Sequence, residues 1–342
     1  MPADEQSVQS VALRRRQYTG ETFQQARWAV ERLARGAAPI PTPHSTAQER
    51  LEARVFLNLL EQRDSYTRYP LGVEAVQPAL DGITLRVESV ERAAEILFAL
   101  LPAHAAGEEV HGLPGLRIVN RLQSAIELQV LNQPTRLRLR GLPASLWHRA
   151  EQLMLAKWID SGTVQLCWRT APKTWTPAER AHMAAWEDDS DPFIRMCLRG
   201  SWLGSALLRR VGLLHTVANT YFVDGYRGLG LNAMRWVMRS SHAPQHGPGA
   251  HHLVAALLDP GYGVPLRLIG FRGDTDARHG SDQHFVLEDS AKTARIELRA
   301  STERPSKSLS PELWKAILRR IPATPPTDGP PHAVPIGLGD AG

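Results

Sequence analysis

Apolar residues recur at helical spacing near the start of the chain. Phe23, Ala26 and Val30 fall on one face of a helix, because they lie three and four residues apart. Thr22, followed three residues later by glutamine, has the form of a capping box that begins this helix. A second capped helix is predicted after the proline-rich linker that follows. We therefore predict a helical N-terminal extension over residues 1–65.

The pattern changes to alternation over residues 71–169. Residues 83–87 read Ile-Thr-Leu-Arg-Val, as in a half-buried strand, and Ser89 then caps a predicted helix. Three further strand-like runs, a helix and a last strand follow. The order β-α-β-β-β-α-β predicts a small mixed or antiparallel sheet with helices on one face.

Helical spacing returns from Thr176 onward. It recurs near residues 192–199, 203–214, 228–241 and 250–258. We therefore predict a helical domain over residues 176–280. The fold class that follows is α+β and predominantly helical.

The C-terminal part of the chain combines a hairpin, a helix and a tail. Residues 284–299 alternate like two strands, with Asp289 in the turn region, and Ser310 begins a final predicted helix. These elements form a predicted unit over residues 281–321. Residues 322–342 are rich in proline and glycine, and we predict a disordered tail there.

The composition narrows the class of protein. A chain of 342 residues that is 43% hydrophobic can bury a core. It shows neither a run of about 18 apolar residues that could span a membrane nor a signal peptide. Its two cysteines, Cys167 and Cys197, are too few for a disulfide framework or a zinc site built on cysteine. We therefore expect a cytoplasmic protein that does not bind membranes.

Motifs of common catalytic sites are missing from the sequence. It contains no phosphate-binding loop of the form G-x-x-x-x-G-K-[ST], no H-E-x-x-H and no G-x-S-x-G. The glycines at 225, 228 and 230 reverse the dinucleotide-binding spacing. We therefore predict no catalytic residue and no cofactor, and an enzyme of an unrecognised type stays an open alternative.

Two clusters of polar residues have side chains that metals prefer. The first is a set of histidines, His242, His246, His251 and His252, and the second is a set of acids, Glu187, Asp188, Asp189 and Asp191. Imidazole and carboxylate groups are common metal ligands. However, neither spacing matches a known ligand arrangement. The alternatives are a solvated loop with one packed histidine, and a loop leading into the acidic N-terminus of a helix. We predict no metal.

A segment of about forty residues resembles a known repeat. From Gly249 the chain reads Gly-Ala-His-His-Leu-Val-Ala-Ala-Leu-Leu-Asp, after an alanine-bearing run that begins at Ala233 and before a short run that ends at Gly270. Residues 228–272 thereby resemble one repeat of the N-terminal domain of Clp chaperones, the Clp-N fold. The family domain carries two such repeats, and whether residues 179–200 form a degenerate second copy stays open.

The Clp-N resemblance implies a helical, non-catalytic domain that binds a protein segment. Its expected partner-binding residues are His252, Leu253, Leu257, Arg235 and Arg239. An ordinary amphipathic helical bundle is the alternative explanation of the same apolar pattern. The oligomeric state does not follow from either interpretation.

Charge is unevenly distributed along the chain. The net charge is +5, and all but five of the 40 basic residues are arginine. Residues 116–149 contain six arginines against one acid, Glu127, and residues 199–239 contain six against Asp224. Such clusters are typical of surfaces that bind polyanions or acidic partners.

The first arginine cluster contains a regular alternation. Arg136, Arg138 and Arg140 alternate with leucines, so on a strand the three guanidinium groups share one face. They could contact successive phosphates or an acidic partner. Alternatively, they could form a solvated face paired with acids across the strand.

These observations favour a non-enzymatic protein–protein interaction or adaptor protein. Its partner would be a protein or a peptide, bound by the Clp-N-like residues. The alternative is a nucleic-acid-associated protein that uses the arginine-bearing face of the sheet.

Overall fold

A computed structural model describes most of the chain. The described residues are 3–34, 36–61, 68–159, 164–187, 191–229, 234–242, 250–273, 283–301, 312 and 315. The predicted disordered tail over 322–342 lies outside them, as does almost all of the final helix predicted from Ser310.

Helices of the described residues fall in three groups along the chain. The first group is α1 (Ala3–Thr19), α2 (Phe23–Glu31) and α3 (Thr46–Leu60). The second is α4 (Val90–Leu100), α5 (Ala144–Ala156), α6 (Cys167–Thr170) and α7 (Pro177–Glu187). The third is α8 (Pro192–Arg199), α9 (Ser201–Leu208), α10 (Leu213–Thr216) and α11 (Ala250–Leu257).

Strands of the described residues form two larger sheets and one small one. The first sheet contains β1 (Val73–Ala79), β2 (Gly82–Val87), β4 (Leu116–Leu122), β5 (Ala125–Val130) and β6 (Leu137–Arg140). The small sheet pairs β3 (Ala103–Ala105) with β7 (Val164–Leu166). The second sheet contains β8 (Thr220–Leu229), β9 (Met234–His242), β10 (Leu266–Arg272), β11 (Gln283–Asp289) and β12 (Ala294–Ser301).

Both five-stranded sheets have the same topology. Each begins with an antiparallel hairpin, continues through a helix, and ends with three antiparallel strands. The spatial orders are β1-β2-β6-β5-β4 and β8-β9-β12-β11-β10. In each sheet the last strand pairs in parallel with the second strand. The chain is therefore built from two halves with one shared architecture.

The two sheets also agree in detail. In the first sheet Leu137 of β6 lies opposite Ile83 of β2. In the second sheet Ile296 of β12 lies opposite Trp236 of β9. All four residues are buried in the hydrophobic core. With these two pairs taken as equivalent, the strands of both sheets are aligned in the same way.

An edge strand of each sheet carries a β-bulge at the equivalent position. The irregularity falls at Val119 in β4 and at Ile269 in β10. In the first sheet the bulge follows Ile118, which pairs with Leu128. In the second sheet it follows Leu268, which pairs with Leu287. Leu128 and Leu287 in turn pair with equivalent residues of the central strands. Bulges on edge strands disrupt the regular ladder that another strand would need.

Several sequence predictions agree with this architecture. The α+β class is confirmed, and the runs predicted between 116 and 140 form β4, β5 and β6. Ser89 caps α4, since its hydroxyl accepts a hydrogen bond from the backbone N–H of Arg92. Thr22 and Gln25 form the predicted reciprocal capping box. The predicted hairpin forms as β11 and β12, and β12 pairs with β9 inside the second sheet.

The helix predicted over residues 228–241 is wrong. This segment contributes to the hairpin of β8 and β9. Met234, Trp236 and Met238 are buried at alternate positions, while Arg235 and Arg239 occupy positions between them. This period of two is the pattern of a strand. The predominantly helical character expected over 176–280 is therefore not confirmed, because strands β8, β9 and β10 lie within that range.

A buried ion pair joins the two halves. Glu52 of α3 accepts hydrogen bonds from Nε and Nη2 of Arg209, both at 2.6 Å. The side chains of Arg209 and Glu52 are 1% and 0% exposed. The Ser205 hydroxyl and the Gln48 amide also donate to the Glu52 carboxylate, at 2.7 and 2.8 Å. The carboxylate therefore has a complete set of donors in the core, which offsets the cost of burying its charge.

Helices α3 and α9 approach closely because glycine occupies position 204. A Cβ atom added there would lie 2.5 Å from the Trp236 ring and 3.0 Å from Cα of Ala53. The missing side chain lets α9 fit between α3 and strand β9. Gly204 therefore sets the distance between the halves at this point.

A second buried ion pair holds α7 against the first sheet. Glu179 binds Nη1 and Nη2 of Arg117 at 2.9 and 2.8 Å, and it accepts hydrogen bonds from the backbone N–H groups of Gly115 and Thr176. Burial alone would raise the pKa of Glu179, but the hydrogen bonds from Arg117 and the backbone outweigh it and lower the pKa. Thr176 caps α7, because its hydroxyl accepts a hydrogen bond from the Glu179 backbone N–H.

Replacing Arg209 with methionine should destabilise the protein strongly. The Arg209→Met variant leaves the Glu52 carboxylate buried without its cation, which typically costs about 3–5 kcal/mol of unfolding free energy. The double variant Glu52→Leu/Arg209→Met should recover most of this loss. Urea denaturation followed by tryptophan fluorescence measures the change.

The control for this prediction is an exposed ion pair. Arg27 and Glu31 lie four residues apart on α2 with side chains 37% and 44% exposed. Arg27→Met should change the unfolding free energy by less than about 1 kcal/mol. Equal losses in Arg209→Met and Arg27→Met would contradict the importance of the buried pair.

The Gly204→Ala variant should also be destabilised, although alanine is the better helix former. Helix propensity alone would stabilise the variant by about 1 kcal/mol. The clash with Trp236 and Ala53 should reverse this sign, with a net loss of about 1–3 kcal/mol. The matched control is Gly228→Ala, since a Cβ at Gly228 meets no atom within 4 Å. A Gly204→Ala variant more stable than wild type would refute the close approach.

Candidate partner-binding face

Each large sheet has one face against helices and one face with charged side chains. The first charged face comprises Glu74, Gln77, Arg86, Glu127, Arg136, Arg138 and Arg140. The second charged face consists of three rows that cross the strands. One outer row contains Arg267, Glu288, Arg295 and Arg235. The other outer row contains Arg272, His284, Arg299, Arg239 and Asp224. The middle row is Val286, Glu297, Val237 and Tyr226.

The arginines predicted to share one face of a strand do so. Arg138 and Arg140 lie on β6, and Arg136 immediately precedes it. Leu137 and Leu139, which alternate with them, are fully buried in the core. The sequence pattern therefore gave the correct face for each of these side chains.

Two of these three arginines are paired with acids. Arg138 binds Glu127 of the neighbouring strand, with Nε 3.0 Å from the carboxylate, and this hydrogen bond is the main reason why the pKa of Glu127 is lowered. Arg136 lies 3.3 Å from Asp81. For Arg136 and Arg138, the structure has the arrangement of a solvated face with acid partners.

Arg140 is in a different environment. It donates a hydrogen bond to the Gln77 amide at 3.0 Å, and it lies opposite Arg86 on the parallel strand β2. Burial and the nearby Arg86 lower the pKa of Arg140. Arg86 itself is paired with Glu74 at 2.9 Å. Together with Asp81, which lies between β1 and β2, the first face therefore has three carboxylates for its four arginines.

The second charged face has more arginines than carboxylates. Arg295 lies opposite Arg235 and Arg299 lies opposite Arg239 on the parallel strands β12 and β9. Among the described residues of the three rows, six arginines share the face with three carboxylates. Asp224 is occupied by Arg239 at 2.6 and 2.7 Å. The face therefore carries an excess of positive charge.

Glu297 lies at the centre of this arginine cluster. It is 7% exposed. Its carboxylate is 3.4 Å from Nε of Arg235, 3.3 Å from Nη2 of Arg299 and 3.5 Å from Nε2 of His284. One carboxylate is thus shared by two arginines and one histidine.

Some donors around Glu297 are not satisfied. The buried Nε of Arg295 makes no hydrogen bond within the described part of the chain, and the buried Nε of Arg235 and Nε2 of His284 have only the ion-pair contact with Glu297. Buried polar groups in folded proteins nearly always have a partner. Because these nitrogens are buried, a ligand on this face would contact the exposed ends of the guanidinium groups rather than these atoms.

The structure does not bring together the residues predicted to bind a partner. Leu253 and Leu257 on α11 are each 2% exposed and line a core cavity with Met238. They are therefore core residues, which corrects the expectation that they contact a partner. Arg235 and Arg239 occupy the charged face of β9, opposite to the face of Met238. His252 lies half-buried on α11, with its ring 4.2 Å from the ring of His251.

Sequence reasoning missed Arg295 and Arg299. The sequence Arg295-Ile-Glu-Leu-Arg299 alternates in the same way as the run from Arg136 to Arg140. A search for arginines at alternate positions of a predicted strand would have found both. Their position beside Arg235 and Arg239, however, depends on strand pairing across about sixty residues.

The first histidine of the predicted cluster is a core residue. His242 is 1% exposed, and its Nδ1 lies 2.8 Å from the Ala218 carbonyl and 3.2 Å from the Thr220 hydroxyl. Its Nε2 lies 2.9 Å from the Ser240 hydroxyl. Burial lowers the pKa of His242 to about 4, so the ring is neutral at pH 7. His246 lies outside the described residues.

The acidic cluster includes a helix cap. Asp191 precedes α8 and accepts a hydrogen bond from the backbone N–H of Ile194 at 3.4 Å. This contact fits the interpretation as the acidic N-terminus of a helix, and residues 188–190 lie outside the described part. Among the described residues, no group of three or more histidine, cysteine or acidic side chains is arranged to hold a metal ion.

Comparisons with known proteins leave the family open. No protein-family model, curated protein or solved structure matches the chain. The resemblance to a Clp-N repeat therefore stays a prediction. Its second helix coincides with α11, whereas residues 234–242, where the repeat would have a helix, form a strand. No helix in the described residues is long and apolar enough to cross a membrane.

His242 should make stability fall with acidification. An unfolded chain binds a proton at this histidine below its ordinary pKa of 6.5, whereas the folded chain does so only below about 4. Its contribution is therefore complete above pH 6.5 and is lost as the pH falls to 4, by up to about 3 kcal/mol. In His242→Gln, the unfolding free energy should depend less steeply on pH over this window than in wild type.

Urea titrations at pH 8, 6.5, 5.5 and 4.5 measure both proteins. Any fixed packing cost of the variant appears at pH 8 and is subtracted. Parallel pH profiles of the two proteins would show that His242 is not held neutral in the core.

Proposed function

We propose that the chain is a non-catalytic protein-binding protein, an adaptor, that holds an acidic segment of a partner protein on its second charged face. The observation that carries this proposal is the excess of arginines around Glu297, with the side chains of Arg235, Arg239 and Arg299 partly exposed. Carboxylates are the natural partners of guanidinium groups, which they bind through two parallel hydrogen bonds.

An acidic protein segment suits this face better than a nucleic acid. Asp224, Glu288 and Glu297 lie among the arginines, and a phosphate backbone with a charge at each nucleotide would approach all three. A peptide can place its acids beside the arginines and other residues beside the carboxylates. The nucleic-acid alternative built on Arg136, Arg138 and Arg140 is less supported, because Arg136 and Arg138 already have acid partners.

The proposed function keeps one implication of the Clp-N resemblance and changes its location. Binding of a protein segment remains the activity. The proposed surface omits the buried leucines of α11, keeps the predicted Arg235 and Arg239 of β9, and adds Arg295 and Arg299 of β12. Cys167 and Cys197 are both free and buried, which is consistent with action in the reducing cytoplasm.

Fluorescence anisotropy with two labelled probes tests this function. One probe is a 15-residue peptide rich in Asp and Glu, and the other is single-stranded or duplex DNA of comparable charge. We expect the peptide to bind and the DNA to bind at least tenfold more weakly at 150 mM salt. Arg235→Ala/Arg295→Ala should weaken peptide binding tenfold or more, because it removes one outer arginine pair.

The matched control is the double variant Arg136→Ala/Arg138→Ala on the first charged face. It removes the same number of arginines and should leave peptide affinity within twofold of wild type. Tighter binding of DNA, lost in the first-face variant, would overturn the proposal in favour of a nucleic-acid-associated protein. Binding of neither probe would overturn both.

A further inference from the structure

We infer that the partner segment binds in an extended conformation along β9 and β12, with acidic side chains at positions i and i+4 and a non-acidic side chain at i+2. This inference rests on the proposed function and adds the geometry of the ligand. It follows from the three rows of side chains on the second charged face.

The outer rows fix the spacing between the two acids. Arg235 and Arg295 form one arginine pair, and Arg239 and Arg299 form the next pair four residues further along the same two strands. A strand rises by about 3.3 Å per residue, so the pairs are separated by roughly 13 Å. An extended segment spans the same distance in four residues, and its side chains at i and i+4 point to the same side.

A helical ligand does not fit this spacing. A helix rises by about 1.5 Å per residue, so acids at i and i+4 would be separated by roughly 6 Å along its axis. Such acids would reach only one arginine pair. Acids at i and i+4 therefore reach both arginine pairs only in an extended segment, whereas a helix would need acids about eight residues apart.

The middle row determines the residue at i+2. It places Val237 and Glu297 between the two arginine pairs. Glu297 is a nearly buried carboxylate, and a second carboxylate above it would be repelled. Val237 is fully buried, so Glu297 is the group of this pair that a ligand meets, and a basic side chain would pair with it. An acid at i+2 should therefore weaken binding even though it adds negative charge.

The arginines of the outer rows are accessible to such a ligand. The side chains of Arg239 and Arg299 are each 48% exposed, and that of Arg235 is 31% exposed. The Arg239 guanidinium engages Asp224 through Nε and Nη2, so donors of Nη1 are left for a ligand.

The first charged face lacks this double arrangement. Arg86 and Arg140 form one arginine pair at the position that corresponds to Arg239 and Arg299. The other pair has no equivalent, because Gly82 stands beside Arg136 there. The spacing preference should therefore belong to the second face alone.

Three fluorescein-labelled 11-residue peptides test the inference on the wild-type protein. All have a serine, threonine and valine background. Peptide A has Glu at positions 4 and 8 and Lys at 6, peptide B has Glu at 4 and 6 and Lys at 8, and peptide C has Glu at all three. We expect peptide A to bind at least tenfold more tightly than peptide B and more tightly than peptide C.

Two protein variants link the preference to named residues. Glu297→Gln should raise the affinity for peptide C at least fivefold relative to that for peptide A. Arg235→Ala/Arg295→Ala should bring the affinities for peptides A and B within twofold of each other. The Arg136→Ala/Arg138→Ala control should keep the wild-type ratio, and circular dichroism checks that each variant is folded.

The outcomes separate the two proposals. Equal binding of peptides A and B by wild type would overturn the extended i, i+4 geometry and leave acidic-segment binding intact. Tightest binding of peptide C would show that net charge alone governs affinity, and it would also overturn the geometry. Absence of binding by all three peptides and by the acidic 15-residue probe would overturn the proposed function itself.

Discussion

The fold depends on the charge buried between α3 and α9. Glu52 cannot enter the core without Arg209, Ser205 and Gln48, because an unpaired carboxylate there would be too costly. Apolar contacts alone would hold two helices together in several alignments. The bidentate ion pair favours a single alignment of α3 and α9. Together with Gly204 it sets the distance between the two halves of the chain.

The two halves keep the same architecture and differ in charge. Strand order, register and edge bulge coincide, so these features are what the fold requires of each sheet. The charged faces are free of that requirement. With Asp81 included, the first face has three carboxylates for four arginines, whereas the second face has three for six. Function is best sought in this difference between two otherwise equivalent surfaces.

Local pattern was sufficient where one face of a strand is buried and the other is polar. Leu137 and Leu139 between arginines gave both the strand and its orientation. The segment from Met234 to Met238 failed as a prediction because Val237 is buried as well, so apolar residues lie on both faces and the period of two is obscured. The neighbourhood of Arg235 and Arg295 could not be read locally, because a parallel pairing of distant strands creates it.

The bulges at Val119 and Ile269 have a consequence for how the proposed partner segment would be recognised. With their outer edges irregular, the sheets offer poor ladders for an added strand, and a bound segment would be read through side chains rather than through its backbone. Recognition of that kind tolerates variation between the anchoring positions. Under this proposal, one binding face could bind several segments of different sequence, provided that each places two acidic side chains at the same spacing.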